Sequence, residues 1–86
     1  MKVSFSELAW QQYLAWQFES KAITRKINEL IKDIGRHGLA GGRGKPEALK
    51  GCKEWSRRID QKHRLVYILD AEGNLLILSC EGHYED

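Results

Sequence analysis

Apolar and polar residues alternate over Lys2-Val3-Ser4-Phe5, with Val3 and Phe5 on one face, which predicts a short strand. Ser6 is a favoured N-cap residue, and the Glu7 carboxylate suits the positive end of a helix, so a helix is expected from residue 7. Its expected core stripe is Trp10, Tyr13, Leu14 and Phe18, with Gln11, Gln12 and Gln17 outside it. Trp16 falls off that stripe, as a partly exposed aromatic or as a contact for a partner chain, the contact being preferred. Ser20 can cap a second helix in which Ile23, Ile27, Leu30, Ile31 and Ile34 form the narrow stripe of a core-facing surface. Lys21, Arg25, Asn28, Glu29, Lys32, Asp33 and Arg36 fill the side assigned to solvent, and Gly35 and Gly38 supply stops.

Residues 38–46 look superficially like a phosphate loop. Leu39 stands where the first glycine of that motif belongs, Pro46 stands at the Ser/Thr position, and a helix precedes the loop instead of a strand. The expectation is therefore a flexible basic surface loop, closed by a turn at residues 46–49 that orients Glu47 and Lys50. Three strands follow, over residues 55–60, 64–69 and 75–80, the last apolar throughout and so central or buried on both faces. A turn at residues 61–63 sets Asp60 opposite Arg64. One face then carries Trp55, Arg57, Ile59, Leu65, Tyr67 and Leu69 toward the helices. The opposite face carries Ser56, Arg58, Asp60, Arg64, Val66 and Ile68, with the two arginines together. The fold class is α+β: a short N-terminal strand and a helical hairpin packed on a small twisted antiparallel sheet.

Length adds that residues 1–86 form one domain with one modest core. No apolar run is long enough to span a membrane and no apolar signal region opens the chain, so a cytoplasmic protein is expected. Cys52 and Cys80 have no Cys or His neighbours at metal-ligand spacing and are read as reduced thiols. Charge changes the picture more. Residues 43–64 hold eight Lys and Arg against three acids on a chain whose total is only +2, so the rest of the molecule is net acidic. Such a concentrated basic patch attracts phosphate and steers polyanions.

Set among those cations, Glu47 needs a reason. Glu47, Lys50, Arg58, Arg64, His83 and Tyr84 together supply what RNA cleavage without a metal or cofactor requires. A base takes the 2′-hydroxyl proton, cations stabilise the phosphorane oxygens, and an acid protonates the departing 5′-oxygen. The alternative is a non-catalytic basic surface for ribosomal RNA or a partner protein, which would need the cations but not the carboxylate and imidazole.

Several blocks of the sequence resemble the YoeB/Txe toxins, of the RelE-like, microbial-RNase-like superfamily of bacterial toxin–antitoxin systems. They are Ile27-Asn28-Glu29-Leu30-Ile31-Lys32-Asp33, Gly44-Lys45-Pro46-Glu47 with Leu49-Lys50, Trp55-Ser56-Arg57-Arg58-Ile59, His63-Arg64-Leu65-Val66-Tyr67 and His83-Tyr84. The resemblance implies a ribosome-dependent mRNA endoribonuclease acting in the A site, held inactive by a YefM/Axe-like antitoxin with an acidic extended segment, and often homodimeric. By motif, Glu47 matches the general base, His83 the general acid and Arg64 the phosphate-stabilising arginine. Lys50 and Arg58 match supporting cations, with Arg57 and Lys45 in the cationic surround, and Tyr84 matches a residue that places the substrate or His83. The chain departs from the family in a short connection at residues 51–54 and in continuing past Tyr84 into Glu85-Asp86.

Overall fold

The computed structural model describes residues 1–82. In chain order it contains β1 (Val3–Phe5), α1 (Glu7–Glu19), α2 (Lys21–His37), β2 (Glu47–Ala48), β3 (Trp55–Arg58), β4 (Arg64–Leu69) and β5 (Leu75–Ser79). The strands form one sheet in the order β1-β5-β4-β3-β2. β1 pairs parallel with β5 and the remaining neighbours are antiparallel, so the sheet is mixed where an antiparallel one was expected. The caps form as the sequence implies. Ser6 Oγ accepts from the Ala9 amide at 3.1 Å and Ser20 Oγ from the Ile23 amide at 3.1 Å. Ser6 also ties the start of α1 to β5, since its hydroxyl donates to the Leu78 carbonyl at 2.9 Å.

The core lies between the helices and one face of the sheet, where Ala9, Ile27, Leu30, Leu65, Tyr67 and Ile77 are fully buried. Each such large apolar side chain contributes on the order of 1.5–3 kcal/mol relative to an exposed one. The expected face of α2 is buried as read. The expected stripe of α1 is not. Trp10, Leu14 and Phe18 are exposed, Phe18 at 95 %, while Ala9 and Trp16 face the core. Leu8, Ala9, Trp10, Tyr13, Leu14, Trp16 and Phe18 surround the helix with apolar groups, so periodicity does not select a side. Packing selects it instead: the small Ala9 lets α1 approach β5, and Trp16 then reaches the Cys80 carbonyl with its indole N–H at 3.0 Å. Trp16 is thus a core residue, neither a partly exposed aromatic nor a partner contact.

A second correction concerns Asp33 and Arg57. Asp33, assigned to the solvated side of α2, is buried, and Arg57 is fully so. Arg57 Nη1 donates to Asp33 Oδ2 at 2.7 Å and to the Arg43 carbonyl at 3.0 Å. Its Nη2 donates to the Gly38 carbonyl at 2.7 Å and its Nε to the Tyr67 hydroxyl at 2.9 Å, and that hydroxyl in turn donates to the Leu39 carbonyl at 3.0 Å. Asp33 Oδ2 also accepts from the Arg43 amide at 2.7 Å. That amide hydrogen bond is the main reason the Asp33 carboxyl lies below its ordinary range, and Arg57 reinforces it. Burial pushes the Tyr67 hydroxyl upward, against the pull of Arg57.

Residues 38–44 are at the surface as expected, with Ala40, Gly42 and Arg43 exposed, but they are tied to the fold beneath. They are laid over the sheet and fastened from beneath by a buried arginine, and the Gly44 carbonyl accepts from the Arg58 amide at 2.6 Å. Gly42 shows how close the approach is: it has φ +88°, and a Cβ added there would land on the Asp33 carboxylate. The loop delivers residues 47–48 to the sheet as the edge strand β2, where a simple turn was expected.

Cys80 is buried and Cys52 exposed. Burial raises the Cys80 thiol to about 12, which leaves on the order of one part in 10⁴ as thiolate at pH 8. Native protein titrated with Ellman's reagent at that pH is expected to show one rapidly reacting thiol, with the second appearing only on unfolding. Two fast thiols in the native state would contradict the buried placement.

Candidate active site

Side chains on a sheet share a face when their residues are directly paired or two apart along a strand. Glu47 pairs with Ser56 and Ser56 with Val66, and two residues along β3 Arg58 pairs with Arg64. Glu47, Arg58 and Arg64 thus stand on the face opposite the helices. Paired Cα atoms such as those of Arg58 and Arg64 are roughly 4.5–5.5 Å apart, and the diagonal from Glu47 to Arg58 spans about 7–8 Å. Ser56 and Val66 between them are 5 % and 6 % exposed, so the charged groups surround an uncharged floor.

The register differs from the expected one by two residues, because the turn is longer than residues 61–63. Asp60 leaves the strand and organises the turn, its Oδ1 accepting from the Lys62 amide at 2.8 Å and the His63 amide at 2.6 Å. The His63 amide is the leading cause that lowers the Asp60 carboxyl below its ordinary range. A shift of two preserves the faces, and this is why the two arginines meet as expected, although Asp60 does not oppose Arg64.

Glu47, Lys45, Lys50 and Arg58 are exposed, and their side chains make no hydrogen bond or ion pair among the described residues. Arg64 is half-buried. Its Nη1 donates to the Asp60 carbonyl at 3.0 Å and the His63 carbonyl at 3.2 Å, which aims the guanidinium from the turn. Arg57 is a different case. Expected among the substrate-binding cations, it is enclosed by its internal partners and belongs to the scaffold that holds Glu47's loop. Lys45 and Arg58 line a hollow of about 380 Å³ with Lys26 of α2, a cation that sequence reasoning did not single out. His83 and Tyr84, and with them the Glu85-Asp86 departure, lie outside the described residues. Gly82, the residue before His83, has φ +85°, a conformation that favours glycine.

Among the described residues, no group of three or more His, Cys, Asp or Glu side chains is placed to hold a metal ion, and no helix is long and apolar enough to cross a membrane. The face presents a carboxylate opposite an arginine pair across a neutral floor, suited to an anionic ligand with a removable proton.

A helical pair backing a five-stranded mixed sheet is also the fold of an Escherichia coli YafQ mutant, which superposes with a TM-score of 0.77 at 15 % identity, covering 95 % of this chain and 92 % of that one. Residues 5–84 match the family model for the YoeB-like toxin of bacterial type II toxin–antitoxin systems, and the chain belongs to that family. It is 50 % identical to toxin YoeB of Escherichia coli strain K12 over 86 residues, covering 98 % of this chain and all of that one. The YoeB/ParE toxin from Agrobacterium tumefaciens superposes with a TM-score of 0.93 at 38 % identity, covering 98 % of this chain and all of that one. Staphylococcus aureus YoeB, 43 % identical, matches both as a dimer (TM-score 0.92) and in a heterotetrameric YoeB–YefM complex (TM-score 0.90), each covering 98 % of both chains.

Proposed function

We propose that this toxin is a ribosome-dependent mRNA endoribonuclease that cleaves in the A site. The observation that carries this reading is the common sheet face of Glu47, Arg58 and Arg64, unoccupied by internal partners at Glu47 and Arg58. Glu47 takes the proton of a ribose 2′-hydroxyl. The freed oxygen attacks the adjacent phosphorus, Arg64 stabilises the charge gathering on the phosphorane oxygens, and Lys50 and Arg58 reinforce it. His83 supplies the proton for the departing 5′-oxygen, leaving a 2′,3′-cyclic phosphate and a 5′-hydroxyl, with Tyr84 helping to place the substrate. No step of this scheme requires a metal or cofactor.

The cognate partner is an antitoxin of the YefM/Axe kind, whose acidic extended segment suits the basic face. Both this partnership and a homodimer follow the assemblies named for the Staphylococcus aureus relatives. The direct test is incubation with translating ribosomes and mapping of the new mRNA 5′ ends. Cuts at a fixed place relative to the A site, ending in cyclic phosphate, are expected. Ribosome binding without new ends would favour the non-catalytic basic module.

Charge outside the site should affect encounter alone. Lys53 and Lys62 are exposed and lie in turns outside the paired strand residues that carry Glu47, Arg58 and Arg64. Replacing either by Gln is expected to weaken ribosome affinity and to reduce the slope of log K against log salt by about 0.7–0.9 for each phosphate that is no longer neutralised. The cleavage rate on saturating ribosomes should stay within about twofold of the parent; a rate that falls while affinity holds would place these lysines in the chemistry.

A further inference from the structure

The last described stretch of the chain is held by side chains from two other parts of the fold. From α1, Gln12 Oε1 accepts the Cys80 amide at 2.7 Å and Trp16 Nε1 donates to the Cys80 carbonyl at 3.0 Å. Two residues later the hold passes to the β3–β4 turn. The Gly82 amide donates to His63 Nδ1 at 2.9 Å, and the Gly82 carbonyl accepts from the Arg64 amide at 3.0 Å. The imidazole is itself braced. Trp16 stands against it edge to face, with ring centroids 4.8 Å apart at 74°. Its backbone is tied into the turn, where the amide donates to Asp60 Oδ1 at 2.6 Å and the carbonyl accepts from Ile59 at 3.0 Å. The residue that follows Gly82 is His83.

We infer that His63 is a positioning residue: its Nδ1, braced by Trp16, holds the Gly82 amide and so sets the point from which the chain continues to His83. From sequence, residues 61–63 read only as a turn, and nothing in the reaction scheme above uses this imidazole. The contact prescribes its state. A nitrogen that accepts carries no proton, so the neutral ring is protonated at Nε2. Gly82 has no side chain to brace it and sits at φ +85°, so its two backbone hydrogen bonds are what limits its torsions. Proton transfer in a nuclease tolerates little error, since a misplacement of about 1 Å costs on the order of 10²-fold. What His83 does rests on the nuclease reading; the hold on Gly82 stands on contacts alone.

Two substitutions separate position from mere packing. His63→Phe keeps a ring against Trp16 and removes the acceptor, whereas His63→Asn places an amide oxygen near the position of Nδ1. On saturating ribosomes the single-turnover cleavage rate is expected to fall roughly 10- to 10²-fold for His63→Phe and to remain within a few-fold for His63→Asn. Amide hydrogen exchange at Gly82 should accelerate in the Phe variant and stay protected in the Asn variant. Nitrogen-15 spectra of the parent should show an unprotonated Nδ1. A His63→Phe protein that cleaves at the parental rate with fast Gly82 exchange would overturn the positioning role, and one with Gly82 still protected would overturn the hold itself. Equal losses in both variants with lowered thermal stability would reduce His63 to a packing residue. If the parent protein cuts no mRNA on ribosomes, the nuclease reading fails, while Gly82 exchange in the three proteins still decides whether His63 holds the tail.

Discussion

Glu47→Gln is expected to slow mRNA cleavage on saturating ribosomes by on the order of 10²–10⁴-fold while leaving ribosome affinity nearly unchanged. The size follows from the role: an amide of the same shape removes the proton acceptor from the attacking 2′-hydroxyl and little else. Glu47 is also the cleanest position at which to measure it. It joins the sheet through its backbone pairing with Ser56 at the edge, its side chain is exposed, and it has no partner among the described residues. Such a surface change typically alters stability by no more than about 0.5 kcal/mol, so a loss of activity is not a loss of fold. Arg64 offers no such separation, because its guanidinium also binds the carbonyls of the turn that carries it. Single-turnover kinetics with a parallel ribosome-binding assay provide the check. Cleavage within about threefold of the parent would remove Glu47 from the base role.

Arg57→Ala is expected to destabilise the protein by about 3–5 kcal/mol, because it strands a buried carboxylate and uncaps the Gly38 and Arg43 carbonyls at once. For a chain of this size that corresponds to a fall in Tm of at least roughly 12 °C, measurable by calorimetry or circular dichroism. The damage should be local in character. Gly38, Arg43 and Tyr67 all lose the same donor, so exchange of amides in residues 38–44 should rise before that of α2. Replacing both members, as Asp33→Leu with Arg57→Met, should recover much of the loss, since an apolar pair costs less than one unpaired buried charge. The pair also carries a pH signature. The folded state depresses the Asp33 carboxyl, so its contribution is fully present above the ordinary carboxylate range and is lost as pH falls through the lowered value. Asp33→Asn should therefore show a flatter decline in stability on acidification than the parent. An Arg57→Ala protein with parental Tm would mean that the buried network does not hold the loop.

The features legible from residue order alone are those that rest on local chemistry. Ser6 and Ser20 cap helices because their hydroxyls reach amides three residues on, wherever the helix packs. The α2 stripe is legible because its apolar residues occupy one narrow arc against a charged background. The meeting of Arg58 and Arg64 is legible for a subtler reason. Strand faces repeat every two residues, so a register wrong by two still gives the right face.

The remaining features depend on how distant segments pack. α1 has apolar groups on every side, and only its fit against β5 chose Ala9 and Trp16 over Trp10, Leu14 and Phe18. Alternation already turned Arg57 toward the helices, but Asp33 reads as a solvated helix residue until the two are seen to face each other across the fold, 24 positions apart. The helical period of α2 leaves no trace of the partner that buries Asp33. The same holds for His63, whose neighbours Trp16 and Gly82 come from opposite ends of the chain. Local sequence placed Arg58 and Arg64 on one face; the pairing of β2 with β3 brought Glu47 onto it, and non-local contacts between side chain and backbone hold residues 38–44 and 80–82.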